Sequence, residues 1–289
     1  MSHDAFQFAV VGVAFFCGSL GSAVLARGGI VHTSIVAQFN FVALAFAYST
    51  QVSLVLGIFG GWAVSIVLVL VSYLVSIYNR RTYIIVLYIG SLIAIPITEL
   101  VLALLKSPDA NGLSTPHTSW PLNQFTSLFV GGGFCLFLAL LAFSVTRTWQ
   151  SQLLAHWNQT TPPVARDLQI AGVFNTARLL RAAIPTIIVA STCFLVAVVF
   201  GRFVEEKFLD SGGFGRQPFW MLLFGLLIRD DFRFLPLTVG VYLSCDWLVA
   251  NFLGTSSSYG IPAQAAFILY GVIFLALSAV PAMRQRPDD

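Results

Sequence analysis

Two acids stand inside otherwise apolar runs of this chain, Glu99 and Asp246. A carboxylate in hydrocarbon is costly unless it is paired or wetted, so each is a candidate for a polar pathway through a membrane. A structural hydrogen bond or ion pair near an interface is the simpler account of either. Glu99 lies toward one end of its run and reaches water there, whereas Asp246 is mid-run. His32, Gln38 and Asn40 interrupt a further apolar piece. Imidazole and amide groups there need interhelical hydrogen bonds or a wet pathway beside a broken helix. His32, Gln38, Asn40, Glu99 and Asp246 are therefore the candidate pathway residues.

Other chemistry finds little support. His3, His32, His117 and His156 are scattered, with no pair four residues apart on a helix. Cys17, Cys135, Cys193 and Cys245 all fall in apolar runs without metal-ligand spacing, and read as small packing residues. No catalytic set and no metal site is expected. The chain has no G-x-x-x-x-G-K-[ST] phosphate loop, so no cofactor is expected, and any nucleotide would bind another subunit.

The elements that must position these residues are transmembrane. Of 289 residues, 57% are hydrophobic and 9% charged, with a mean hydropathy of +0.86. A soluble domain carries about a quarter charged residues, so too little charge is present to solvate a globular surface. The apolar runs exceed barrel strands in length, which makes the spans helices. The net charge of +3 is spread over short loops and gives no nucleic-acid signal.

Apolar spans are expected at Phe6–Ala26, Ile30–Ser49, Val52–Ile77, Tyr83–Leu105, Phe125–Val145, Ile184–Phe203 and Ile261–Met283. The first reads as a retained span, not a cleaved signal. Phe219–Ile228 is too short to cross, at about 15 Å of helix against a ~30 Å core. With the charged turn Arg229–Arg233 and the return Phe234–Leu253 it predicts a re-entrant hairpin within 217–253. Trp62, Trp120, Trp149, Trp157, Trp220 and Trp247 mostly sit near predicted span ends, as interfacial belting places them. The fold class is all-α: one polytopic transmembrane helical bundle over 1–289, with about seven spans plus the hairpin.

Arginine sets the orientation. Arg27, Arg80, Arg81, the tail, and the stretch 147–181 with Arg147, Arg166, Arg178 and Arg181 all fall inside if the N-terminus is outside. The stretch 147–181 is the longest polar segment. Its Pro162–Pro163 pair leads into the short amphipathic piece Val164–Ala171, a docking knob for a soluble partner.

This order of features resembles the permease subunits of ABC importers for branched-chain amino acids and their urea and amide relatives, over most of the chain. A Gly-rich first span leads into a broken second helix, LARGGIVHTSIVAQFNFVALAFAYST. The third span ends in arginines and continues as RRTYIIVLYIGS, so Tyr83 and Leu87–Gly90 match. Arg147, Ala155, Asn158, Pro162, Ala165, Leu168, Gly172, Val173 and Arg178 follow the outline of the family's cytoplasmic loop. The chain departs from it at Leu227–Arg233, where the family carries a Gly-Gly-x-Gly-Ser turn.

The resemblance implies a non-enzymatic subunit in the bacterial inner membrane, translocating amino acids or similar small polar solutes. The implied partners are cytoplasmic ATPase subunits, a second permease subunit, a periplasmic substrate-binding protein and membrane lipid. Val164, Leu168 and Ile170 would dock the ATPase, with Arg166 at the rim. The alternatives are a non-transporting membrane scaffold, which the charged turn favours, and a lipid-modifying enzyme, which the scattered histidines argue against.

Overall fold

The computed structural model describes residues 3–27, 30–50, 52–78, 82–105, 124–159, 172–204, 217–228, 234–252 and 272. Every element among them is an α-helix. In order they are α1 (His3–Arg27), α2 (Ile35–Thr50), α3 (Leu54–Tyr78), α4 (Tyr83–Leu105), α5 (Gln124–Gln159), α6 (Gly172–Val204), α7 (Gln217–Leu227) and α8 (Leu235–Phe252). Four are long and apolar enough to cross a membrane: α1, α3, α5 and α6. The expected last span, Ile261–Met283, and the charged turn Arg229–Arg233 lie outside the described residues.

Local sequence explains several helix ends. The Ile30 N–H donates to the Leu25 carbonyl at 3.0 Å, the six-to-one bond that closes helix C-termini. Ser53 Oγ accepts the Leu56 N–H at 3.1 Å, an N-cap for α3. Pro218 and Pro236 stand at the second position of α7 and α8, where a missing N–H costs nothing.

α1 and α6 form the centre. In each, 72% of the membrane-length window is buried, against 22% for α3 and 17% for α5. They run antiparallel: Gly21 lies against Cys193, Phe194 and the Ala190 carbonyl, while Gly131 of α5 meets both Val13 and Phe200. α5 runs parallel to α1, since Cys17 touches Cys135 four residues further on. The ends of α1 and α5 and the start of α6 therefore share one end of the bundle. That end gathers Arg27, Arg147, Arg178 and Arg181 by their helix positions.

α2 and α3 pair as an antiparallel hairpin, with Gly57 on Thr50, Gly60 on Ser49 and Gly61 on Phe46. Thr33 Oγ1 donates to the Ile84 carbonyl at 3.0 Å and ties α4 to the same edge. Beyond that α4 is mostly bare, with Ile85, Ile89, Leu92 and Leu100 exposed. The apolar exposure on α3, α4 and α5 is what a lipid-facing surface carries.

The expected hairpin over 217–253 has a defined seat. α7 lies along α1 in the same direction, with Met221 on Gly18 and Gly225 on Ser19, Ser22 and Ala23. α8 runs the other way, with Leu243 on Gly12 and Tyr242 stacked on Phe15 at 3.9 Å. Phe224 meets Phe15 edge-on at 5.5 Å and Tyr242 at 6.4 Å. At 11 residues α7 is about 16 Å long, half of a bilayer core. The two legs thus pack along α1 in opposite directions, α7 from Gly18 toward Ala23 and α8 back to Gly12.

Three expectations need correction. The segment 147–181 is not one long loop: α5 continues to Gln159 and α6 begins at Gly172. Polar helix ends that project past a membrane carry no apolar run to mark them. Interfacial belting does not describe Trp62 or Trp220. Trp220 is buried in the core, and Trp62 packs against it while its Nε1–H donates to Thr192 Oγ1 at 3.1 Å. The second span, expected as a broken helix from Ile30, instead begins with a turn through 30–34, and its helix starts only at Ile35.

Candidate functional site

The most polar place in the described core lies where the 30–34 turn meets α2, α3 and α6. α2 begins at Ile35, so Gln38 stands in its first turn and looks across to α3. Its Nε2 donates to Ser65 Oγ at 2.7 Å and to the Ser65 carbonyl at 3.1 Å. Ser65 Oγ in turn donates to the Ser191 carbonyl of α6 at 3.0 Å. One amide and one hydroxyl therefore link three helices.

His32 is held above this link by the turn. Its ring stacks on Phe194 of α6, with centroids 5.5 Å apart and planes 22° from parallel. Nδ1 faces Ser34 Oγ at 3.4 Å, and Ser34 Oγ is 3.2 Å from Ser72 Oγ. Ser72 Oγ completes the chain by donating to the Leu68 carbonyl at 2.9 Å.

Both key residues are buried, at 1% exposure each. Yet His32 Nε2 and Gln38 Oε1 have no hydrogen-bond partner, and neither does Ser191 Oγ. Buried polar atoms are normally satisfied, and each exception costs about 1–3 kcal/mol. With Nδ1 donating into the Ser34–Ser72 chain, Nε2 is an acceptor like Gln38 Oε1, so the seam offers a hydrogen-bond donor a place to bind. It holds no acid among its described members, so its chemistry is hydrogen bonding by neutral groups.

The structure brings together some of the residues singled out in sequence and separates others. His32 and Gln38 share the seam. Asn40 is buried and engaged in an interaction of its own, two positions from Gln38 and so on another face of α2. Glu99 sits in α4 fifteen residues beyond Ile84, the residue tied to Thr33. That is about 22 Å along the helix axis. Asp246 sits in α8 one turn past Tyr242, toward the N-terminal end of α1 and away from the 30–34 turn. The two acids are thus on outlying helices, remote from His32. Val164, Arg166, Leu168 and Ile170 lie outside the described residues.

Ser34, Ser65, Ser72 and Ser191 escaped sequence reasoning. A serine in an apolar helix usually bonds back to its own i−4 carbonyl, as Ser22 does to Gly18 at 3.0 Å. Only the fold distinguishes Ser65, whose hydroxyl leaves its own helix. Among the described residues no three metal-ligating side chains converge. Comparisons with protein-family models, with curated proteins and with solved structures return no match to this chain.

Proposed function

We propose that this chain is the membrane-spanning permease subunit of an ABC-type importer, with about seven spans and a re-entrant hairpin, in a bacterial inner membrane. It performs no chemistry of its own. Separate cytoplasmic ATPases drive it, docked on the segment that joins α5 to α6. A second permease subunit completes the path, and a periplasmic binding protein delivers amino acids or similar small polar solutes.

The observation that supports this reading best is the pairing of two discontinuous elements around α1. One is the interruption at 30–34 with His32 and Gln38 packed into it, and the other is the short α7–α8 hairpin. Transporters place solute sites where helices are broken, because irregular backbone at membrane depth is tolerated only where protein covers it or it lines a cavity. The clustering of Arg27, Arg147, Arg178 and Arg181 at one end supports a cytoplasmic assignment of that end. One feature favours a scaffold that has lost transport: the charged sequence Arg229–Arg233 stands where a close-packed glycine turn would let the hairpin legs approach.

Solute uptake separates the two readings. Cells expressing the chain with its ATPase should accumulate labelled amino acids or amides in an ATP-dependent way, and Gln38→Leu should abolish this with normal membrane yield. An ATPase-bound complex that transports none of a broad solute panel would favour the scaffold.

A further inference from the structure

Cys17 of α1 and Cys135 of α5 meet inside the bundle with their sulfur atoms 3.8 Å apart. Both are free thiols. Cys17 has no exposed surface. Cys135 is half-buried, between Phe134 and Leu136, which are exposed on the lipid-like side of α5. Packing alone accounts for two small apolar residues here. It does not account for their facing each other across parallel helices with nothing between the sulfurs.

We propose that Cys17 and Cys135 are a dithiol that a lipid-soluble two-electron oxidant of the quinone class closes into an interhelical disulfide, locking α5 against α1. In this step both S–H bonds break and one S–S bond forms. Two electrons and two protons pass to the quinone, which leaves as the quinol. A dithiol reductant reverses it. The sulfurs must close from 3.8 Å to about 2.0 Å, a distance within reach of side-chain rotation. Cys17 is fully buried, so water-borne oxidants act slowly. Enforced proximity offsets this by raising the effective concentration of one sulfur at the other. The half-buried Cys135 is the entry point for an oxidant dissolved in lipid.

The consequence for function rests on the transport reading. α5 runs unbroken from Cys135 to Gln159, directly into the segment proposed to dock the ATPase. A covalent tie to the central helix α1 would hold that lever still, so oxidation of the membrane pool would brake the transporter. Formation of the bond itself needs no ATPase, so its failure and the failure of the transport reading are separate results.

The test uses the full chain in lipid nanodiscs with Cys193 and Cys245 changed to Ser, treated with a short-tailed, fully ring-substituted benzoquinone. The chain is then denatured and alkylated, and its thiols are counted by mass. The expected result is loss of both alkylation sites, a linked peptide pair containing Cys17 and Cys135 within one chain, and recovery of both sites with dithiothreitol. Adding Cys17→Ser should leave Cys135 fully alkylated. Two fully alkylated thiols after oxidation, or linkage only between chains, would overturn the proposal. Cys193 is tightly packed against Gly21, so the same mapping on the wild-type chain covers a background that fails to fold. There, a link from Cys193 to either cysteine in place of the 17–135 pair would overturn it equally.

Discussion

Gly225 offers the sharpest handle on the α7–α8 hairpin. A Cβ built on it would meet Ser22 Cβ at 2.5 Å, the Ser19 carbonyl oxygen at 2.7 Å and the Ala23 nitrogen at 2.9 Å. Two of these three are backbone atoms of α1, which cannot rotate aside, so Gly225→Ala must push α7 off the central helix. Overpacking of this kind costs about 1–3 kcal/mol, and the rigid neighbours put it at the upper end. Alanine returns roughly 0.5–1 kcal/mol through helix propensity. The net loss is about 2 kcal/mol, or about 30-fold in the folded-to-unfolded ratio. Gly240→Ala on α8, where nothing lies within 4 Å, serves as the control and should be neutral or slightly stabilising. Gly18→Ala is intermediate, because its nearest neighbours are side-chain atoms of the flexible Met221 and not backbone. The assay is unfolding in mixed micelles followed by tryptophan emission, since Trp220 sits in the same leg. Equal stability of Gly225→Ala and Gly240→Ala would mean that α7 does not pack on α1, and the re-entrant seat would be wrong.

Two further outcomes follow from the same geometry and a third from the arginine pattern of the sequence. Ser65→Ala loses two bonds between helices at about 0.6 kcal/mol each, about 1.2 kcal/mol in all; Gln38 Nε2 keeps the Ser65 carbonyl, and a loss above about 2 kcal/mol by the same unfolding assay would contradict this. Gln38→Leu removes a buried unpaired Oε1 along with two donated bonds, so stability should change by less than about 1 kcal/mol while solute uptake is lost; retained uptake would make the seam purely structural. Single cysteines at Ser119 and Ser211 should react with an impermeant thiol reagent from outside intact cells and one at Thr160 should not; labelling at Thr160 would reverse the orientation and remove the docking segment from the cytoplasm.

Hydropathy made the helical class and four of the long apolar helices legible, because length and apolarity are what a bilayer demands of a helix. The short α7 was legible for the same reason in reverse: Phe219–Ile228 is apolar but too short to cross. The extents of α5 and α6 were not. Arg147–Gln159 and Gly172–Ala182 are polar helix, and polarity hides helix wherever the segment leaves lipid. His32 and Gln38 stood out as polar residues among apolar ones, but their junction with Ser65 and Ser191 needs α3 and α6 laid side by side. Glu99 and Asp246 drew attention by charge alone, and charge carries no information about which helix will be central. The tryptophans show a similar limit, since indole suits both an interface and a core with a hydroxyl such as Thr192 in reach.

The account's central claim is coupling to an ATPase through the segment between α5 and α6. Its most direct test is ATP turnover by the complex purified on the wild-type chain and on Leu168→Asp. An apolar anchor in such an interface carries most of the binding, and a rim charge little. The wild type should carry a cytoplasmic ATPase with turnover dependent on the membrane subunit. Leu168→Asp should insert at equal yield and lose both the ATPase and its turnover, while Arg166→Ala should weaken them only modestly. Full association and turnover in Leu168→Asp, or no ATPase on the wild type, would contradict the importer reading.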